Sequence, residues 1–220
     1  TVTLTNANAK SLATGSDDTV NIVVNLAQGE STSPDDAVII SGKNKSTSTI
    51  DFASGITGDI GDYVTTSGNN HSLLTGLSSA FAKDTNVLLA IGAALSSATD
   101  VVKANVLLNA SNHGAVSGTF TGLSTNATSL SSNTNAIAIT VTDVVNYATA
   151  DTLRGLTTAS VTYGGEIVDT FDNFFLQNGG IKTTSDAIVA KDSTVKYKVG
   201  SISDGAFSAA PITVSGANIT

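Results

Sequence analysis

The sequence predicts a mixed α and β fold: a β-rich N-terminal part, then strand-helix-strand-helix repeats of about 43–49 residues. Three observations predict it. Thr99-Asp100-Val101-Val102 recurs as Thr142-Asp143-Val144-Val145, an offset of 43. At the same offset Ser117, Thr119 and Phe120 meet Ser160, Thr162 and Tyr163. Asp84-Thr85 and Asp169-Thr170 each open an apolar run, Asn86 to Leu89 and Phe171 to Leu176, with a degraded Ser124-Thr125 copy between. A repeated unit implies that neighbouring copies bury a shared core.

Residues 1–66 read as a β-rich module. Thr1 to Thr5 alternates Thr with Val and Leu, and Thr19 to Leu26, Ala37 to Ser41 and Thr49 to Phe52 are short β-branched runs. Turn-formers separate them, at Gly15 to Asp18, Gly29 to Asp36 and Gly42 to Ser48.

Residues 67–192 read as two to three strand/helix repeats. Leu73, Leu74, Leu77 and Phe81 form a helical stripe, and Asp84 is placed to cap a helix through Val87 to Leu95. Val101 to Leu108 continues in helical spacing until Asn112-His113-Gly114. Ala115 to Thr121 and Ala136 to Val141 read as strands, Tyr147 to Leu156 as a helix, Ser160 to Tyr163 as a strand and Asp169 to Gln177 as a short helix stopped by Gly179-Gly180. Ala187 to Ala190 is expected as a strand. Strand-terminal aspartates then fall at Asp51, Asp100, Asp143 and Asp192, spaced 49, 43 and 49. Residues 193–220 form a C-terminal strand segment, with Pro211 to Val214 returning to a sheet or reaching a neighbour.

Composition narrows the function. Hydrophobic residues make up 40% of the 220, enough for a packed core, yet only 13% are charged, about half the usual share. The chain has no Cys, Met or Trp. Disulfides, thiolate metal sites and thiol nucleophiles are thereby excluded, and so are the side chains most easily oxidised. That suits an extracellular protein. A net charge of −8 repels phosphate, so neither nucleic acid nor an anionic membrane surface is an expected partner. The longest apolar run, Val87 to Leu95, falls short of the roughly 20 residues that span a bilayer, so no membrane insertion is expected. Because Thr1 is not a translation start, the sequence is expected to be processed or part of something longer.

Catalytic patterns are missing. His71 and His113 each follow Asn in loop-like settings, without HxH or HExxH spacing. No GxSxG motif supports a serine nucleophile, and Gly164-Gly165 belongs to no phosphate-binding motif. The chain is not expected to be an enzyme, and no cofactor is required. Ca²⁺ is the one metal with candidate ligands: Asp17, Asp18, Asp35, Asp36, Asp59 and Asp62, in loops rich in Gly, Ser and Thr. Asx-turns and helix caps with solvated carboxylates are the first explanation of the same residues.

The motifs VTDVV (141–145), LTTASVTY (156–163) and VDTFDNFF (168–175), in a Ser/Thr/Ala/Val-rich chain, resemble repeat modules of very large bacterial surface proteins: S-layer proteins, RTX-associated secreted proteins and giant adhesins. The match covers roughly residues 50 to 192, and its middle copy departs from the pattern, with Ser124 and Asn126 where an acidic residue is expected. The resemblance implies an extracellular structural component that self-associates into a layer, filament or giant surface protein. Its partners are other copies or neighbouring domains of a longer chain. An adhesion module binding glycan or another cell surface is the alternative.

Overall fold

A computed structural model describes residues 2–12, 22–24, 31–43, 48–176, 182–200 and 212–215. The strands are β1 Val2–Leu4, β2 Ile22–Val24, β3 Ile50–Phe52, β4 Ile56–Gly58, β5 Val64–Ser67, β6 Asn70–Leu73, β7 Leu89–Ile91, β8 Val116–Gly122, β9 Asn135–Val141, β10 Val161–Tyr163, β11 Ile167–Asp169, β12 Lys196–Val199 and β13 Ile212–Ser215. The helices among the described residues are α1 Asn6–Lys10, α2 Pro34–Lys43, α3 Ile60–Tyr63, α4 Leu77–Lys83, α5 Ala98–Leu108, α6 Ser124–Ala127, α7 Tyr147–Leu156, α8 Phe171–Phe174 and α9 Thr183–Lys191. None of them is long and apolar enough to cross a membrane.

The fold is mixed α/β around a five-stranded parallel sheet of order β10-β9-β8-β7-β4. Further sheets run β1-β2-β3 and β11-β12-β13, and β5-β6 is a separate hairpin. Within each sheet the strands lie in chain order, with the β5-β6 hairpin inserted between β4 and β7: Ile22 opposes Ile50, Ile56 opposes Leu89, Leu89 opposes Val116 and Val161 opposes Ile139. A parallel pair needs a crossover, and here a helix supplies most of them. The residues form two compact units, Thr1–Ala94 with Val102–Gly118 and Asn133–Ala136 in one, Leu95–Val101 with Thr119–Ser132 and Ile137–Thr220 in the other.

In the first unit, Ile56, Leu89 and Val116 share a ladder and are buried, as are Ala104, Leu107 and Leu108 of α5. Ser97 Oγ accepts from the Asp100 N–H at 3.1 Å while the Asp100 carboxylate accepts from the Ser97 N–H at 3.0 Å, a reciprocal cap that starts α5. Asn112, in the left-handed region, turns the chain after it. In the second unit β9 alternates strictly, with Ile137, Ile139 and Val141 buried. α7 presents Ala150 and Leu153 to the core, three residues apart on one face. Asn146 caps it, its side chain accepting from the Thr149 N–H at 2.8 Å. Each fully buried Ile or Leu contributes roughly 1.5–3 kcal/mol, so a charge at Ile139 would disrupt this unit.

Several expectations are corrected. The segment before residue 66 alternates strands with helices and is not β-dominated among its described residues. Ala37 to Ser41 is helical, inside α2: Ser33 Oγ accepts from the Asp36 N–H at 3.1 Å, Pro34 opens the first turn and Asp35 and Asp36 follow it. Those start signals outweigh the strand preference of Val38, Ile39 and Ile40. Ala187 to Ala190 likewise belongs to α9, and the strand comes later as β12. Asp84 ends α4 and does not begin a helix, and Leu89 to Ile91 is extended. The expected stripe from Leu73 is cut by Gly76, whose φ of 89° and contact with Val38 leave no room for a Cβ. The C-terminal strand does return to a sheet, antiparallel to β12, with Pro211 outside the described residues.

Candidate functional site

Of the six aspartates singled out as cation ligands, Asp17 and Asp18 lie outside the described residues. Asp35 and Asp36 sit in the first turn of α2. The Asp36 carboxylate accepts from Lys10 Nζ at 2.9 Å and from Asn6 Nδ2 at 2.8 Å. Asp59 and Asp62 are brought together as the cap of α3: Asp62 accepts from the Asp59 N–H, and Asp59 accepts from the Ala93 N–H, both at 2.8 Å. A Ca²⁺ site wants six to eight oxygens aimed at one point. Among the described residues no group of three or more His, Asp or Glu side chains converges that way.

Other aspartates hold backbone. Asp84 is the C-cap of α4 and Asp192 the C-cap of α9. Asp84 accepts from the N–H of Phe52, the last residue of β3, at 2.8 Å. Asp192 accepts from the N–H of Tyr163, the last residue of β10, at 2.8 Å. Asp143 accepts from both the N–H and the hydroxyl of Ser124, at 2.7 and 2.6 Å, and Asp169 accepts from the Tyr147 N–H at 3.0 Å. Sequence reasoning placed Asp143 and Asp192 at strand ends and Asp84 and Asp169 at helix starts, and missed this role. The signal was present: Ala82-Lys83-Asp84-Thr85-Asn86-Val87 recurs as Ala190-Lys191-Asp192-Ser193-Thr194-Val195.

The Asp84 corner opens on a cleft of about 340 Å³, lined in part by Thr49, Asp51, Lys83, Asp84, Thr85 and Asn86. Beside it lies a smaller cleft of about 190 Å³ that shares Asp51, Asp84 and Asn86. Burial pushes the Asp84 carboxyl above its ordinary value and the nearby Asp51 charge adds to this, while the backbone N–H groups of Phe52 and Asn86 pull against it. Burial also holds the Lys83 ammonium below its ordinary value. At the Asp192 corner a cleft of about 470 Å³ is lined by Arg154, Lys191 and small residues of the 158–160 loop. Lys191 Nζ donates to the carbonyls of Thr157, Thr158 and Ala159 at 2.9, 3.1 and 2.9 Å. These clefts can hold polar groups by hydrogen bonds. No Ser, Cys or Thr nucleophile in them is paired with a histidine base.

Neither histidine lines those clefts. His113 is buried against Phe81, ring centroids 5.2 Å apart. Its Nδ1 lies 2.7 Å from the Gly114 carbonyl and its Nε2 3.0 Å from that of Leu107. His71 stands on the β5-β6 hairpin beside Thr66 Oγ1 at 3.0 Å. The buried tyrosines also face carbonyls: Tyr63 donates to Ile56 or Ala90 on the adjacent strands β4 and β7, Tyr163 to Ala150 and Tyr197 to Ser185. Polar side chains in this fold serve the backbone that neighbours them.

No protein-family model matches the chain, and no curated protein or solved structure is similar to it.

Proposed function

We propose that this chain is a structural component of a bacterial extracellular surface assembly, a layer, a filament or a giant surface protein, and that it works by self-association. One observation carries the reading. Strand is added to strand in chain order, through the run β4-β7-β8-β9-β10, so the architecture extends by adding turns. An architecture of this kind offers broad stacking faces and terminal strands, which a further copy or a neighbouring domain can continue. The engaged carboxylates and tyrosines support the same reading, because they fix backbone and leave no tuned catalytic pair. The chain is not an enzyme on this proposal and requires no cofactor.

A repeat of 43–49 residues belongs to the proposal, as does kinship with modules of large bacterial surface proteins. In its favour, 99–142 and 142–191 both open on a helix and reach a short helix through extended chain, which is the single strand β8 between α5 and α6 but the two strands β10 and β11 between α7 and α8. They then part, at β9 against α9, and Asp100 caps its own helix where Asp143 holds Ser124.

Electron microscopy of the purified chain with and without Ca²⁺ tests the function. Ordered sheets or filaments are expected. Assembly that appears only with Ca²⁺ would assign the cation to bridging acidic copies, since it relieves repulsion between chains of −8 charge. A stable monomer that binds glycans on an array would overturn the proposal in favour of an adhesion module.

A further inference from the structure

We propose that the outer edge of β6 is a homotypic contact, pairing antiparallel with β6 of a second copy around His71. The inference rests on the self-association reading above and names one surface that would serve it.

The β5-β6 hairpin forms a sheet of its own, so β6 has β5 as its one neighbour among the described residues. Ser67 opposes Asn70 across the two-residue turn Gly68-Asn69, and Thr66 opposes His71 next to it. In such a hairpin the pair that closes the turn exchanges hydrogen bonds, and the following pair points its backbone N–H and C=O groups outward. His71 therefore offers one donor and one acceptor on the free edge, the pair that a two-fold partner needs. Unpaired edges of this kind recruit other strands unless they are blunted by charge, proline or a bulge. None of the three is present between Val64 and Leu73.

Charge selects a second copy as the occupant. In a chain of net charge −8, most homotypic contacts bring carboxylates together. Pairing centred on His71 sets His71 against His71 and Asn70 against Ser72 of the other copy, and brings no carboxylates together. Four residues of edge bury far less than the roughly 1,200–2,000 Å² of a stable pair, so the contact is weak singly and gains strength when many copies align.

The absence of cysteine makes the test clean. An H-bonded antiparallel pair holds its Cα atoms about 5.5 Å apart, inside the disulfide range. His71→Cys should form a disulfide-linked dimer under mild oxidation about tenfold faster than Thr66→Cys or the exposed control Thr85→Cys, through its higher effective concentration. His71→Cys and Thr66→Cys lose the same Thr66–His71 contact, so they match as a pair, and circular dichroism checks that each folds. Equal rates for folded variants, or faster linkage at Thr66, overturn the assignment. Filaments from wild type without preferential linkage at residue 71 would sink this contact and leave the array. Linkage at 71 with no assembly at any concentration would do the reverse.

Discussion

Asp192 stands to Tyr163 as Asp84 stands to Phe52. In each case the carboxylate at a helix C-cap accepts the N–H of the aromatic residue that ends an earlier strand, at 2.8 Å. Around both bonds the local chain agrees. Each aspartate donates its own N–H to the carbonyl four residues back, at 3.1 Å for Asp84 and 3.0 Å for Asp192. Each accepts at its carbonyl from a valine three residues on, both at 3.3 Å. A parallel strand follows, and Ile56 pairs with Leu89 as Ile167 pairs with Tyr197. The corner thus fixes where a helix stops and where the next strand begins.

Removing that carboxylate should cost more than a surface charge does. Asp192→Ala strands the buried Tyr163 N–H and also loses the Thr194 N–H and hydroxyl, which Asp192 accepts at 2.9 and 2.7 Å. The expected loss in urea unfolding is about 2–3 kcal/mol. Asp172→Ala on the exposed side of α8 should change stability by less than about 0.5 kcal/mol. Equal small losses would show that the corner does not hold the strand.

The comparison explains what the sequence could and could not reveal. β9 and α7 were legible because burial acts on one side of each: alternate residues in one, Ala150 and Leu153 in the other. Ala37 to Ser41 and Ala187 to Ala190 misled because β-branched runs suit a buried helix face as well as a strand, and only their flanks decide: Ser33 and Pro34 before one, the Asp192 C-cap after the other. The Asp84 bond spans 32 residues, from Phe52, and no local pattern shows such a partner. The repeated Ala-Lys-Asp hexapeptide could have shown that two corners exist, though not what they grip.

Asp84 makes a pH prediction with a definite sign. Its carboxyl, raised by burial above 3.8, binds a proton more tightly in the folded chain than in the unfolded one. Between 3.8 and that raised value the folded state holds more protons, so this residue's contribution to stability falls as pH rises and is flat above. Asp84→Asn removes the effect while keeping an acceptor for the Phe52 N–H. Stability difference curves should therefore move in favour of the variant as pH rises from about 4 to 7. A difference that stays flat across that range would refute the burial argument.

The three buried tyrosines predict the alkaline limit. Burial raises the phenols of Tyr63, Tyr163 and Tyr197 well above the ordinary 10.0. Their stabilisation is complete below that value and is lost as pH rises past it, since the unfolded chain releases its phenolic protons first. Unfolding should steepen above about pH 10, with phenolate absorbance appearing together with loss of secondary structure. Tyr63→Phe should shift that onset upward and, at neutral pH, lose about 1 kcal/mol with the hydroxyl that donates to the Ile56 or Ala90 carbonyl. The chain has four tyrosines and three are buried, so phenolate absorbance of more than one tyrosine while the fold persists would contradict this account.

Thr134 carries strain that a single substitution should release. It is one of two non-glycine residues at positive φ among the described residues, at 48°, and the other, Asn112, is a type that tolerates the left-handed region. A β-branched side chain there crowds the following carbonyl at a cost of roughly 1–2 kcal/mol. The position is held because the Thr134 carbonyl accepts the Val116 N–H at 2.8 Å, at the entrance to β9. Its hydroxyl returns little, lying 3.4 Å from the Leu108 carbonyl. Thr134→Asn should keep the backbone bond and raise stability by about 1 kcal/mol. Thr134→Ala, which loses the hydroxyl but keeps a Cβ in the same region, should gain less. If Ala matches or exceeds Asn in urea unfolding, the hydroxyl and not the backbone is the source of the cost, and the strain assignment fails.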